Sequence, residues 1–122
     1  MMTKGTIAAL ALVCIASRAL AQGAPPTFQA DPDVYKLVFE NENFRVIAAT
    51  HPKGVRDKLH GHPLPFVVYF LTDCMLTHYS ANGTTRVDTN KAGAVAAFPG
   101  GSSHSVENTG PADCREIFVE RK

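Results

Sequence analysis

Residues 93–108 read GAVAAFPGGSSHSVEN. The apolar part of this stretch, 94–98, is typical of a strand, and Pro99-Gly100-Gly101 favours a sharp turn before the chain re-enters the sheet. His104 is the only histidine of the chain that follows such a glycine-rich turn. Asn108 lies four residues further on and therefore on the same face of an extended strand. The stretch predicts a strand, a tight turn and a second region of β-structure that presents His104.

A second stretch, residues 54–62, reads GVRDKLHGH and ends in two histidines at i and i+2. In a strand the side chains of His60 and His62 leave the same face, so two imidazoles can bind one metal ion without bending the backbone. A third ligand must come from another strand, and His104 is the candidate. Imidazole suits zinc, copper, iron and nickel, and a three-histidine site leaves coordination positions open to water or substrate.

The rest of the chain alternates short β-rich runs with turn residues. Eight strands are predicted at 35–39, 44–50, 66–71, 74–80, 84–89, 94–98, 105–108 and 114–120. Asn82-Gly83 is a strong hairpin signal between two of them. Residues 66–71 are almost all β-branched or aromatic, which favours a strand that is buried on both faces or lies deep in a barrel. No amphipathic helix is predicted after residue 21, so the fold is all-β, a single barrel or sandwich.

The two histidine segments resemble the two sequence motifs of the cupin superfamily. The opening half of the first motif is matched by Gly54, His60 and His62. Every fixed position of the second motif is matched by Gly93, Pro99, Gly101, His104 and Asn108. The resemblance covers about residues 43–120, and it implies a cupin-type jelly-roll β-barrel with a divalent metal ion at its mouth.

The first motif is incomplete, because the glutamate expected three or four residues after His62 is replaced by Phe66 or Val67. The glycine that closes the motif is also absent. The resemblance therefore implies either a three-histidine variant, as in the cupin cysteine dioxygenases, or a cupin that has lost strong metal binding. The metal could be iron, manganese, zinc, nickel or copper.

Two functions remain open on these residues. The first is a metal-dependent oxygenase or isomerase that binds a small molecule in the barrel, with Phe66, Val68 and Phe98 as pocket lining. The alternative is a non-catalytic module that binds a small molecule or a metal. Nucleic acid is excluded as a partner, since the net charge is +1 and no basic stripe is present. The resemblance also suggests a homodimer.

The N-terminal residues 1–21 have the pattern of a signal peptide. Lys4 precedes an apolar run over 7–16, and Ala19-Leu20-Ala21 matches a small-x-small cleavage site. Residues 22–32, with three prolines, are predicted to be a flexible or extended arm, and residues 33–122 form the domain. We expect a periplasmic or secreted protein without a stable membrane anchor.

The mature chain keeps two cysteines, Cys74 and Cys114, because Cys14 belongs to the predicted signal peptide. In an oxidising compartment they can form one disulfide, and the alternative is two separate buried thiols. The remaining histidines, His51 and His78, are expected to be solvent-facing or hydrogen-bonded rather than ligands. Glu107 is expected on the face opposite His104, in solvent.

Overall fold

The computed structural model describes residues 23–122, so the predicted signal peptide at 1–21 lies outside the described residues. The described part contains one short helix and nine strands. They are α1 Thr27–Ala30, β1 Tyr35–Glu40, β2 Phe44–His51, β3 His60–His62, β4 Phe66–Phe70, β5 Cys74–Ser80, β6 Thr85–Asn90, β7 Val95–Phe98, β8 Ser102–Asn108 and β9 Cys114–Arg121. No helix among residues 23–122 is long and apolar enough to span a bilayer. The all-β prediction is confirmed.

The strands form two sheets. One has five strands in the order β1-β2-β9-β4-β7, and the other has four in the order β3-β8-β5-β6. Neighbouring strands are antiparallel throughout both sheets. The predicted barrel is therefore not a single closed hydrogen-bonded sheet in the described part of the chain. Both sheets contribute to one core, as in a double-sheet jelly roll, through residues such as Phe66, Phe118, Leu76 and Val106.

Strand β4, which lies between β9 and β7, shows how the sequence places the core. Phe66, Val68 and Phe70 are buried, whereas the side chains between them, Val67 and Tyr69, are exposed. The prediction of a strand buried on both faces is wrong, because only one face of this antiparallel sheet packs against the other sheet. Because the exposed side chains of the outer face are also hydrophobic, the sequence of this strand does not alternate between polar and apolar residues.

Cys74 and Cys114 form a disulfide with a Cα–Cα distance of 5.1 Å. The bridge joins the first residue of β5 to the first residue of β9, so it ties the four-stranded sheet to the five-stranded one. Of the two alternatives left open by the sequence, the disulfide is the one found. Such bridges persist in non-reducing compartments.

The predicted flexible arm is not a free segment in the structure. Thr27 opens helix α1 and is 1% exposed, and the Gly61 amide of β3 donates a hydrogen bond to the Pro25 carbonyl over 2.7 Å. The Lys58 amide donates to the Asp31 carboxylate over 3.1 Å. These bonds hold residues 25–31 against the strand that carries the first two histidines, a long-range contact that proline content could not reveal.

Candidate metal centre

Strand pairing brings the three predicted histidines together. In the antiparallel pair of β3 and β8, His60 stands opposite His104 and His62 opposite Ser102. Gly100 and Gly101 have φ values of 81° and 84°, which lets the chain turn into β8 at Ser102, three residues before the predicted start. The candidate ligand atoms of the three histidines all lie within 4.8 Å of one another. We call His60, His62 and His104 the triad.

The hydrogen bonds of His60 identify the nitrogen that is free to bind a ligand. Its Nδ1 lies 2.9 Å from the Lys58 carbonyl oxygen, so Nδ1 carries the proton and donates it. Its Nε2 then holds the lone pair, and this atom is buried with no hydrogen-bond partner among residues 23–122. A buried nitrogen lone pair without a partner is what a metal ligand looks like before the metal binds.

The other two rings face each other through Nε2. The Nε2 atoms of His62 and His104 are 3.0 Å apart, so one of them donates to the other. The Nδ1 of His62 is buried and has no partner in the described part of the chain. One ring nitrogen from each of the three histidines therefore lies in one small volume.

Burial keeps the triad rings neutral. It lowers the pKa of His62 to about 3 and that of His104 to about 2, and the neighbouring histidines add to both shifts. Burial also lowers the pKa of His60. Neutral imidazole is the form that binds a metal ion. The donor set thus fits a divalent transition metal, with nitrogen ligands only: no carboxylate belongs to the group among residues 23–122.

A buried carboxylate, that of Asp57, lies next to His60 of the triad. Asp57 is 6% exposed and accepts hydrogen bonds from the Tyr35 hydroxyl and the Val106 amide over 2.7 and 2.6 Å. Its carboxylate lies 3.5 Å from Nδ1 of His60. Asp57 therefore lies on the Nδ1 side of the His60 ring, away from the free Nε2.

A cavity of about 770 Å³ adjoins the triad, and Phe66, Val68 and Phe98 line it together with His62 and His104. The ring of Phe66 stacks on that of His62 with a centroid distance of 4.6 Å and on that of Phe98 with 5.1 Å. The position where the motif would carry its glutamate is therefore occupied by an aromatic wall. The cavity is large enough for a small organic molecule.

His51 is hydrogen-bonded rather than solvent-facing, which is the second of the two expectations for it. It is 2% exposed, lines the same cavity, and its Nε2 lies 3.0 Å from the carboxylate of Glu116, which is 3% exposed. Sequence reasoning also missed Glu116. The available signal was strand period: His51 shares a face of β2 with the buried Ile47 and Ala49.

His78 lines the cavity next to the triad. Its Nδ1 is 3.4 Å from Nδ1 of His104, and its Nε2 is 3.3 Å from the carboxylate of Asp88. The sequence allowed a hydrogen-bonded His78 and did not predict Asp88. The strand period again held the information, since His78 shares a face of β5 with the buried Leu76.

Glu107 was predicted to be solvated, but in the structure it is half-buried and hydrogen-bonded. It accepts a hydrogen bond from the Tyr79 hydroxyl over 2.7 Å. The guanidinium of Arg56 lies 3.7 Å from the centroid of the Tyr79 ring and donates to the Ser105 hydroxyl. None of Arg56, Tyr79 and Glu107 lines the cavity.

Comparison with solved structures places the fold. A cupin domain from Bordetella pertussis Tohama I is 21% identical, with 81% of this chain and 96% of that chain covered and a TM-score of 0.68. A protein with a double-stranded β-helix domain from Klebsiella pneumoniae is 21% identical, with 80% and 82% covered and a TM-score of 0.59. A structure of oxalate decarboxylase is 23% identical, with 66% of this chain and 22% of that chain covered and a TM-score of 0.52. No protein-family model and no curated protein matches the chain. The described residues thus have the cupin fold, as the motifs implied.

Proposed function

We propose that this cupin binds a divalent transition-metal ion through the Nε2 atoms of His60, His62 and His104, and a small molecule in the adjoining cavity. The observation that carries the proposal is the buried Nε2 of His60, which has no partner among residues 23–122 and faces two further imidazoles. Leaving such an atom unsatisfied costs about 1–3 kcal/mol, so a site that keeps it is expected to gain a ligand.

The neighbouring side chains prepare the site for that ion. The Lys58 carbonyl fixes the proton of His60 on Nδ1. To bind through Nε2, neutral His62 must carry its proton on Nδ1, so a proton on Nε2 would move to Nδ1 on metal binding. A bound iron, manganese, zinc, nickel or copper ion would supply Lewis acidity and, where redox-active, electron exchange with dioxygen. Phe66, Val68 and Phe98 would exclude water from one side of the ligand.

The reaction class we propose is that of a metal-dependent oxygenase or isomerase, because three protein ligands leave coordination positions open toward the cavity. A second candidate is a non-catalytic binding module. It is favoured by one observation: the described triad contains no carboxylate, so the ion would keep more positive charge than in a site with a fourth, anionic ligand.

Zinc titration of the metal-free protein tests the metal site. We expect the wild type to bind one equivalent of zinc per chain. His104→Ala should lower the affinity by more than about 100-fold, which is more than the loss of a residue that only contacts a ligand would cause. The matched control is His51→Gln, which alters another buried histidine on the same cavity while keeping a donor for Glu116. Absence of stoichiometric metal from the purified protein, together with unchanged zinc affinity in His104→Ala, would refute the proposal.

Dioxygen consumption separates the two candidates. Uptake by the iron- or copper-loaded protein in the presence of one of a panel of small organic acids, thiols and sugars supports the oxygenase, and conversion without uptake supports the isomerase. Binding of such a compound without turnover supports the binding module.

The proposal includes export to the periplasm or the medium. Two features support it: the signal-like pattern of residues 1–21 and the Cys74–Cys114 disulfide. Maleimide labelling of the protein in intact cells, without reductant, should leave both cysteines unmodified. Labelling of both would place the protein in a reducing compartment.

A further inference from the structure

A line of three side chains leads away from the triad along the four-stranded sheet. His104 on β8, His78 on β5 and Asp88 on β6 lie on three successive strands of that sheet. In the strand registers His78 is two residues from the partner of His104 and two from the partner of Asp88. Such diagonal neighbours on one face are within reach of long side chains. The ring nitrogens of His104 and His78 are 3.4 Å apart, and His78 is 3.3 Å from the carboxylate.

The chemistry of the carboxylate gives this line a direction. The Asp88 carboxylate lies 3.3 Å from Nε2 of His78, and its negative charge favours a proton on that nitrogen. The Nδ1 of neutral His78 then carries a lone pair and accepts a hydrogen bond. Its partner is Nδ1 of His104, which must therefore be the protonated nitrogen of that ring. The Nε2 of His104 is left with its lone pair toward His60 and His62.

We propose that His78 and Asp88 are positioning residues, which fix the tautomer and orientation of His104 and thereby set the affinity of the metal centre. This inference rests on the proposed metal-binding function. Neither residue is itself part of the triad group in the described structure. They act through His104, as outer-shell carboxylates and carbonyls act on other metal-binding histidines.

The three triad rings differ in this support. His60 donates to a backbone carbonyl, that of Lys58, and His62 has no partner for Nδ1 among residues 23–122. Of the three rings, His104 alone is hydrogen-bonded through Nδ1 to a side chain outside the triad. Asp88 is in turn held by Arg86, whose guanidinium lies 2.8 Å from the carboxylate. The orientation of one triad ligand therefore depends on residues of β5 and β6, outside both histidine segments.

A double-mutant cycle on the full chain, with zinc as the probe, tests the inference. We expect His78→Leu and Asp88→Ala each to weaken zinc binding by about 10- to 100-fold. Because Asp88 acts through His78, the double variant should be no weaker than His78→Leu alone. Asp88→Asn keeps an acceptor oxygen and should recover most of the affinity. Asp73→Asn is the matched control, since it removes an ion-paired aspartate at the start of β5 and should leave the affinity unchanged.

Nitrogen NMR of the imidazoles in the metal-free protein provides a second measurement, which does not depend on zinc. His104 should be protonated on Nδ1 and His78 on Nε2 in the wild type, and Asp88→Ala should give a mixture of tautomers for both rings. A purely structural role for the pair would lower stability and leave the tautomers of the folded protein unchanged.

The outcomes separate the two proposals. If the wild type binds no zinc while the tautomers are as assigned, the metal-binding function fails and the positioning contact stands. If the wild type binds zinc and the single variants bind equally well, or if the double variant loses the sum of both single effects, the positioning role is refuted. A fourth nitrogen ligand from His78, seen in the Cu²⁺ paramagnetic spectrum of the wild type and absent in His78→Leu, would also refute it.

Discussion

Buried histidines on the two sheets lie at or next to the same cavity and differ in what they contact. His51, on the five-stranded sheet, has its Nε2 3.0 Å from the Glu116 carboxylate. His60, on the four-stranded sheet, is 0% exposed, and its Nε2 has no partner among residues 23–122. The two residues are equally buried, and only one is satisfied by the protein itself.

The difference separates a contact that stabilises the fold from atoms that are free to bind a ligand. The buried contact between His51 and Glu116 needs both partners. If one is removed, the other is left buried without a hydrogen-bond partner, which destabilises the fold. Unsatisfied nitrogens in the triad weaken the metal-free fold. Proteins tolerate such a cost where a ligand later satisfies the atoms. The comparison predicts opposite responses to substitution on the two sides of the cavity.

The largest effect is expected from His51→Leu. Removing the histidine leaves the Glu116 carboxylate buried without its partner, which should lower the free energy of unfolding by about 3–5 kcal/mol. Denaturant unfolding measures this value. The double variant His51→Leu/Glu116→Leu should regain most of the loss, because an apolar pair replaces the whole contact. If the single variant is as stable as the wild type, His51 and Glu116 are not a coupled pair.

The disulfide lies next to this paired side, since Cys114 stands opposite His51 in the register of β2 and β9. It closes a loop over a sequence separation of 40 residues. Replacing both cysteines by alanine should lower the free energy of unfolding by about 4 kcal/mol on loop entropy. Zinc affinity should stay within about threefold of wild type, because the triad lies on other strands. A large loss of affinity would show that the two regions are not independent.

The stability of the protein should depend on whether a metal ion is bound at the triad. At a free zinc concentration about 100 times the Kd, the free energy of unfolding of the wild type should rise by about 2.7 kcal/mol. His62→Phe should show no such rise, while the Cys74→Ala/Cys114→Ala variant should show it in full. An equal zinc effect on His62→Phe would remove His62 from the metal site.

The sequence was sufficient for the parts of the molecule that depend on local pattern. The spacing of His60 and His62 and the glycine turn before His104 identified three candidate ligands, and the pairing of β3 with β8 brings them together. Most strand positions follow from β-branched runs and turn residues. These features are encoded within a few residues of one another, which is the range at which strand and turn chemistry act.

The sequence was insufficient where a residue's role depends on a distant partner. Nothing near His51 in the chain indicates Glu116, which is 65 residues away and reaches it through the pairing of β2 with β9. Asp88 likewise meets His78 only through the pairing of β5 with β6. The burial of residues 25–31 depends on contacts to β3. Each of these required the strand order, which the local pattern does not determine.

The smallest predicted effect is the pH dependence of the metal-free protein. The pKa of His62 is about 3 in the folded state, against 6.5 for an unperturbed histidine. Below pH 6.5 the unfolded chain therefore takes up a proton that the folded chain refuses, so stability falls as the pH drops from about 6.5 toward 3. For one ring the loss between pH 7.5 and pH 5.5 is about 1.4 kcal/mol.

His62→Phe isolates that contribution, because phenylalanine fills the stack between Phe66 and Phe118 without a titrating nitrogen. Denaturant unfolding at both pH values, with a chelator present, should show a loss for this variant that is smaller than that of the wild type by about 1.4 kcal/mol. His51→Gln, measured in parallel, tests whether any buried histidine on the cavity would give the same result. If His62→Phe and the wild type lose the same stability, the ring of His62 is protonated in the folded protein at pH 5.5. In that case His62 is not a neutral imidazole that is free to bind a metal ion, and the contrast between the triad and His51 does not hold.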